Sequence, residues 1–340
     1  MRQFDMFAID NRLASLSKIG DPLERMNQYI KWEAFQPIVD RVFAYERKSE
    51  AGRPPYDYLV MLKVLVLQSL YNISDDQMEY QLRDRLSFMR FVGLGMSDRV
   101  PDAKTIWLYR EALTKAGVIR DLFNRFERFL KDQGYQAQKG QIVDASIVEV
   151  PKQRNTKTEN DVIKSGEVPE GWAAKPAKLR QKDVAARWFK KHDENHFGYK
   201  NHANVDVKHK LIREYAVTSG NVHDSEVFAD VLDKDNTGRG VWADSAYRAA
   251  VIESFLRRRK LRSNIHRKGY RDNPLSKFQV CLNSKKSKIR ARVEHAFGFM
   301  VNSMKANLIR CVGIIRAEAK IGINNLVYNL SRYVQLERMA

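Results

Sequence analysis

Apolar residues in the first part of the chain recur at the three- and four-residue spacing of amphipathic helices. This spacing predicts helices over about 22–47, 58–71, 75–91, 103–116 and 121–132. Ser74 followed by Gln77 has the spacing of a capping box, and Gly117 and Gly134 follow the last two helices. We therefore expect residues 1–135 to form a helical domain.

After Gly140 the pattern changes to short runs rich in β-branched residues. Residues 141–150 are typical of a buried central strand, and the alternating segments 202–207 and 211–218 predict a hairpin. A short strand is expected at 241–244. Helices are expected at 226–232, 247–259, 290–307 and 314–339. Strands and helices in this alternation predict an α/β domain over residues 136–340.

Two basic segments, 152–197 and 257–292, interrupt the predicted α/β domain, and residues 152–197 are expected to form a mostly irregular loop or insertion. The chain has 60 Lys and Arg against 41 Asp and Glu, a net charge of +19. Residues 257–292 contain 14 Lys or Arg and one acid, Asp272, which accounts for +13 of this surplus. Such a surplus attracts polyanions, so double-stranded DNA is the expected partner.

Several other classes of protein are disfavoured. No stretch of roughly 18 uninterrupted apolar residues could span a membrane, and the first twenty residues do not resemble a secretory signal. Two cysteines, Cys281 and Cys311, cannot build a disulfide framework in a chain of 340 residues. We expect a cytoplasmic, nucleoid-associated bacterial protein with no membrane partner and no organic cofactor.

Two aspartates are associated with predicted strands, one within a strand and one directly after a strand. Asp144 falls in the middle of an apolar strand, where an ionised carboxylate is costly unless it is paired, hydrogen-bonded or metal-bound. Asp244 follows Val241-Trp-Ala and precedes a turn into a helix. Crevices at strand ends are where α/β sheets place their sites.

Glu294 completes a possible set of three carboxylates. It lies on the edge of the apolar stripe of its predicted helix, one turn after Arg290. Taken alone, each acid is better explained as an ion pair or a helix cap. Three together repel unless divalent cations neutralise them, and oxygen ligands favour Mg²⁺, with Mn²⁺ as a substitute. We predict catalytic, metal-binding roles for Asp144, Asp244 and Glu294.

A series of short motifs along the chain resembles a known family. The motifs, in order, are Gly52-Arg-Pro-Pro, Asp98-Arg-Val-Pro-Asp, Ile142-Val-Asp-Ala-Ser, Phe197-Gly-Tyr-Lys-Asn-His, Val222-His-Asp-Ser, Ala243-Asp-Ser-Ala-Tyr-Arg and Arg290-Ala-Arg-Val-Glu-His-Ala-Phe-Gly. Together they resemble the IS5 group of bacterial insertion-sequence transposases, within the IS4-like DDE superfamily. The resemblance implies an RNase H-like core, in which Asp144, Asp244 and Glu294 are the catalytic acids.

The sequence departs from the family's pattern around the glutamate. That pattern is Y-x2-R-x3-E-x6-K, which Arg290 and Glu294 match, whereas Ser287 and Val301 occupy the Tyr and Lys positions. Lys305, one turn further, is a possible replacement for the missing lysine. We leave the route of end processing open because of these departures.

The remaining candidates concern DNA and the surroundings of the acids. Candidate DNA contacts are Arg257, Arg258, Arg259, Lys285, Lys286, Lys288, Arg290, Arg292, Lys305, Lys200 and Tyr247. His223 and Asp224 either support the metal ligands or cap the following helix. The aromatic residues of 152–200 either stack on an unpaired base or pack in the core. The helices near 75–91 and 103–116 either contact DNA as a helix-turn-helix variant or present a solvated basic face.

These observations leave three functional hypotheses. The first is a transposase that binds terminal inverted repeats, cleaves the element ends and joins the 3′-hydroxyls to target DNA, as a homodimer or larger assembly. The second is an RNase H-like nuclease that does not join DNA. The third is a non-catalytic DNA-binding protein derived from a transposase.

Overall fold

The computed structural model of the chain describes residues 7–43, 54–191, 193–271 and 273–339. Gly52 and Arg53 of the first motif, His192 and Asp272 lie outside these residues. The chain divides into two compact units. One unit contains residues 1–129 and 326–340, and the other contains residues 130–325.

The first unit is helical, as the apolar spacing predicts. Its helices are α1 (Ala8–Ile19), α2 (Pro22–Tyr29), α3 (Gln36–Phe43), α4 (Tyr58–Tyr71), α5 (Asp75–Asp84), α6 (Leu86–Val92), α7 (Ala103–Lys115) and α8 (Ile119–Asp132). A 3-10 helix, Trp32–Phe35, interrupts the segment predicted as one helix over 22–47, because Ile30 leaves the helical conformation. The Ser74 side chain accepts a hydrogen bond from the Gln77 N–H, which confirms the predicted start of α5.

The second unit is built on a six-stranded mixed sheet. Its strands are β1 (Gln141–Glu149), β2 (Arg187–Lys191), β3 (Glu194–Asp206), β4 (Ile212–Ser219), β5 (Gly240–Trp242) and β6 (Arg262–Ser263). Strand β1 pairs antiparallel with β3 and parallel with β5, β3 pairs antiparallel with β4, and β5 pairs parallel with β6. Strand β2 also pairs antiparallel with β3. The other five strands follow the order β4-β3-β1-β5-β6, which is that of an RNase H-like core and confirms the predicted α/β fold class.

Part of the segment 152–197 is more regular than its composition predicts. It contains α9 (Lys157–Lys164), α10 (Glu170–Ala173) and α11 (Pro176–Gln181), followed by β2 and the start of β3. Buried Asp183 holds the end of this segment, since its carboxylate accepts hydrogen bonds from the Tyr199 hydroxyl and the Gly313 N–H. The prediction of an irregular loop was therefore wrong for these residues.

The remaining helices of the second unit follow β5. They are α12 (Ala250–Arg258), α13 (Lys277–Gly298) and α14 (Ile314–Glu337), and α14 belongs to this unit through Asn325. Helix α13 starts 13 residues before the predicted 290 and ends in a π-helical turn at Phe299–Ser303. The helix predicted at 226–232 is only a 3-10 turn, Asp224–Val227. No helix among the described residues is long and apolar enough to cross a membrane.

Two apolar clusters fix the sheet. One packs Val143 and Val241 against Phe228, Tyr247 and Leu256. The other packs Val148 and Phe197 against residues that include Ile309 and Ile321. Burying such side chains stabilises the fold by about 25 cal/mol per Å² of apolar surface. The polar side chain of Asp144 is thus held between two well-packed regions of one strand.

The start of α13 offers a test of how this helix is held. The Ser276 hydroxyl accepts a hydrogen bond from the Gln279 N–H at 3.2 Å, and the Gln279 side chain accepts one from the Ser276 N–H at 3.1 Å. We expect Ser276→Ala to lower the free energy of unfolding by about 1 kcal/mol, because it removes this cap. Urea denaturation measures the loss. Ser284→Ala, an exposed change inside the same helix, should show no such loss.

Candidate active site

Asp144 lies on β1 with its carboxylate held by two donors. Oδ1 accepts a hydrogen bond from the Ala145 N–H at 2.9 Å, and Oδ2 accepts one from Arg290 Nη1 at 2.9 Å. The side chain is 17% exposed. Burial raises the pKa of the Asp144 carboxyl to about 6, although the Ala145 N–H and the Arg290 guanidinium oppose the rise. The site therefore holds a carboxylate whose charge is costly.

Asp244 follows the end of β5 and lies close to Asp144. Because β1 and β5 run parallel with Ile142 opposite Trp242, the positions two residues further on are Asp144 and Asp244. Asp244 Oδ1 accepts a hydrogen bond from the Ala246 N–H at 2.8 Å and caps the 3-10 helix Ser245–Tyr247. The charge of Asp244 contributes to the raised pKa of Asp144. The two aspartates therefore repel each other.

Glu294 comes from α13, which packs against β1. Its Oε1 is 3.5 Å from Arg290 Nη2, and its side chain is 62% exposed. Arg290 therefore contacts two carboxylates at once, Asp144 on the sheet and Glu294 on its own helix. The guanidinium supplies part of the positive charge that these acids require.

The three acids line one cavity of about 590 Å³. Arg290 lies on the same wall. The other residues that line it are Ala145, Ser146, Ile147, Glu149, Lys191, His196, Phe297, Val301 and Asn307. The structure thus brings together the three carboxylates that the sequence singles out.

The donor set suits a hard divalent cation, since carboxylate oxygens are the ligands that Mg²⁺ and Mn²⁺ prefer. The raised pKa of buried Asp144 also indicates that neighbouring groups do not fully compensate the negative charge of its carboxylate. However, no group of three His, Cys, Asp or Glu side chains among the described residues is arranged to hold a metal ion. Arg290 lies between Asp144 and Glu294 in this arrangement.

Three cavity residues were not identified from the sequence. His196 Nδ1 is 2.7 Å from Glu149 Oε1, and both side chains face the cavity together with Lys191. The sequence offered only the spacing of His192 and His196. That spacing does not indicate Glu149, because His196 and Glu149 come together through the pairing of β1 with β3.

Lys200, His223 and Asp224 lie outside this cavity wall. Lys200 Nζ donates to Asp224 Oδ1 and to the Val222 carbonyl, both at 2.8 Å. The His223 side chain accepts a hydrogen bond from the Ser225 N–H and caps the following 3-10 helix. In this structure His223 therefore acts as a helix cap. Lys200 is half-buried and forms an ion pair with Asp224.

Tyr247 is fully buried and packs against Phe228. Burial raises the pKa of its hydroxyl well above the usual range. This placement counts against a DNA contact by Tyr247. The same holds for Trp172 and Tyr199, which are core residues, whereas Trp188 is exposed.

The remaining cations are divided among several locations. Arg292 donates to the Val207 carbonyl, and Lys305 does not line the cavity, whereas Val301 does. Arg257, Lys285 and Lys286 line a second cavity. Arg258, Arg259 and Lys288 are exposed outside both cavities. In the first unit, Arg90 forms an ion pair with Asp21, and Arg83 forms one with Glu79.

Comparison with known protein families agrees with this geometry. Residues 135–330 match the family described as Transposase DDE domain, and residues 11–112 match the family described as Transposase domain (DUF772). The first match covers more than half of the chain, so the chain belongs to the transposase DDE domain family. The resemblance to DDE transposases of the IS4-like superfamily is confirmed, and the IS5 group stays a prediction.

Among solved structures, the chain is similar to a piggyBac transposase in a synaptic complex with hairpin DNA. The sequences are 11% identical, and the match covers 94% of this chain and 75% of that chain. The TM-score is 0.48.

Proposed function

We propose that this chain is the transposase of a bacterial insertion sequence of the IS5 group. In this proposal it binds the terminal inverted repeats, cleaves the element ends and joins the 3′-hydroxyls to target DNA. The observation that carries the proposal is the shared cavity of Asp144, Asp244 and Glu294 within the transposase DDE domain. The first unit and the basic residues of the second would hold the DNA.

Asp144, Asp244 and Glu294 would hold the divalent cations, Mg²⁺ or Mn²⁺. When bound, these cations would supply Lewis-acid stabilisation of the charge that develops on the phosphodiester. Arg290 would keep Asp144 ionised until then, because its guanidinium opposes the effect of burial on the pKa of that carboxyl. Arg290 would then give up its contact with at least one of the two carboxylates, Asp144 or Glu294, and would be able to contact a DNA phosphate.

His196, Glu149 and Lys191 line the same cavity as the aspartates. Lys191 is the lysine among the described lining residues, and its charge acts on the Asp144 carboxyl, whereas the family's lysine position holds Val301. We propose that Lys191, rather than Lys305, contacts the DNA end. Joining two ends in one complex would require at least a homodimer, acting in the bacterial cytoplasm at the nucleoid.

Strand joining separates this proposal from an RNase H-like nuclease. We expect wild-type protein in Mg²⁺ to insert a duplex with a pre-cut inverted-repeat end and a free 3′-hydroxyl into a plasmid. The joined product is measured on a denaturing gel. A duplex with a 3′-dideoxy end is the matched control and should give no product. Cutting of intact ends without any joining would favour the nuclease.

A further inference from the structure

A second cavity lies in the unit that holds the candidate active site. It has a volume of about 860 Å³. Three separate parts of the chain form it: the start of β5, the segment from α12 into β6, and the first half of α13. The cavity therefore depends on the folding together of distant residues, and it is not a series of charged residues along one segment.

Among the residues that the structure describes, six cations and no carboxylate line the cavity. They are Arg239, Arg257, Lys260, Arg262, Lys285 and Lys286. None of the first five forms an ion pair with a residue that the structure describes. Burial lowers the pKa of the Lys286 ammonium, and the neighbouring cations Arg248 and Arg267 lower it further. The Glu253 carboxylate opposes this effect only in part, so positive charge accumulates here, and an anion would relieve the remaining repulsion.

Apolar side chains also line the cavity. Leu261, Leu282 and Ile289 line it beside the half-buried indole of Trp242. Gly240 is required beneath that ring, because a Cβ at this position would collide with the Trp242 side chain. A lining that combines apolar side chains with several cations suits a ligand that has both phosphates and less polar sugar or base surfaces. A nucleic-acid strand has this chemistry.

Helix α13 connects this cavity with the candidate active site. Lys286 lines the second cavity and Glu294 lines the first. Eight residues of helix separate them by about 12 Å at about 1.5 Å per residue. A DNA strand advances about 3.4 Å per nucleotide along the helix axis. A strand that lies along α13 would therefore span about three to four nucleotides between Lys286 and Glu294.

We propose that the second cavity binds the sugar–phosphate backbone of the DNA about three to four nucleotides from the phosphate that is cut. The inference rests on the proposed function. It also distinguishes cations that the sequence treats alike, since Arg257 lines the cavity and its neighbours Arg258 and Arg259 do not. The cavity sets the register of the DNA end, and the other exposed cations attract DNA without positioning it.

Two matched triple variants of the full chain test the proposal. The cavity set is Arg257→Gln, Arg262→Gln and Lys285→Gln, and the control set is Arg258→Gln, Arg259→Gln and Lys288→Gln. All six residues are exposed, and both sets remove three charges. The probe is a 40-bp duplex that carries one inverted-repeat end, with binding measured in EDTA at several salt concentrations.

We expect the cavity set to reduce the slope of log affinity against log salt by about 2 to 3, because each lost phosphate contact contributes about 0.9. The control set should lose less than half as much. Equal losses in the two sets, or no loss in the cavity set, would overturn the inference and leave the proposed function standing. A wild-type chain that binds no DNA would overturn both.

The predicted register is tested with single neutral methylphosphonates placed along each strand of the same duplex. In wild-type protein, a substitution three to four nucleotides from the cut should weaken binding at least about fivefold. In the cavity set the same substitution should have almost no further effect, because the two changes remove one interaction. Additive effects, or a sensitive position elsewhere, would contradict the register.

Discussion

Asp144→Asn should give a protein that binds an inverted-repeat duplex normally but cuts it on the order of 10³-fold more slowly, or not at all, in Mg²⁺. The amide keeps the shape of the side chain and its place on β1. It removes the negative charge that a divalent cation requires and that Arg290 now pairs with at 2.9 Å. Single-turnover cleavage and a binding assay in EDTA measure the two properties separately.

The matched control for this variant is Asp233→Asn. Asp233 is another partly buried carboxylate of the same unit, and burial also raises the pKa of its carboxyl. It does not line the cavity of the three acids. We expect Asp233→Asn to cut at the wild-type rate. Normal cutting by Asp144→Asn would remove that residue from the mechanism.

The second large effect is on stability, and it depends on pH. The pKa of Asp144 is raised from 3.8 to about 6 in the folded protein. Between these values the folded state binds more protons than the unfolded state, so wild-type stability falls as pH rises through this window. Asparagine does not titrate. The stability of Asp144→Asn relative to wild type should therefore increase by about 2 to 3 kcal/mol between pH 4 and pH 7, at about 1.4 kcal/mol per pKa unit.

Urea denaturation of both proteins in EDTA at several pH values measures this difference. EDTA is needed because a bound cation would stabilise the wild-type protein alone. A stability difference that is the same at pH 4 and pH 7 would contradict the raised pKa. The expected change with pH follows from the cost of keeping the Asp144 carboxylate ionised on a buried strand.

Local pattern was sufficient to predict the strands that carry the aspartates. The β-branched run around Asp144 and the short apolar run before Asp244 are typical of buried strands, and the alternating segments between these runs are typical of a hairpin. Helix α13 was predicted only in its second half. Its first half is rich in lysine and lacks an apolar stripe, so periodicity gave no signal there.

Contacts between residues distant in sequence could not be predicted in this way. Arg290 reaches Asp144 across 146 positions, and His196 reaches Glu149 across 47. Both contacts depend on the pairing of strands and the packing of α13, which a one-dimensional pattern does not specify. Tyr247 is a candidate DNA contact from the sequence, and the burial of its side chain counts against that role.

Glu294 is the least supported of the three acids and so provides the most direct test of the central claim. Its side chain is 62% exposed, and its contact with Arg290 at 3.5 Å would also suit an ordinary ion pair. The decisive measurement is single-turnover cutting of an inverted-repeat duplex in Mg²⁺ by Glu294→Gln, with Glu318→Gln as a control on another helix. The three-carboxylate account predicts a loss of roughly 10³-fold or more with unchanged DNA binding. Cutting by Glu294→Gln at the wild-type rate would contradict it.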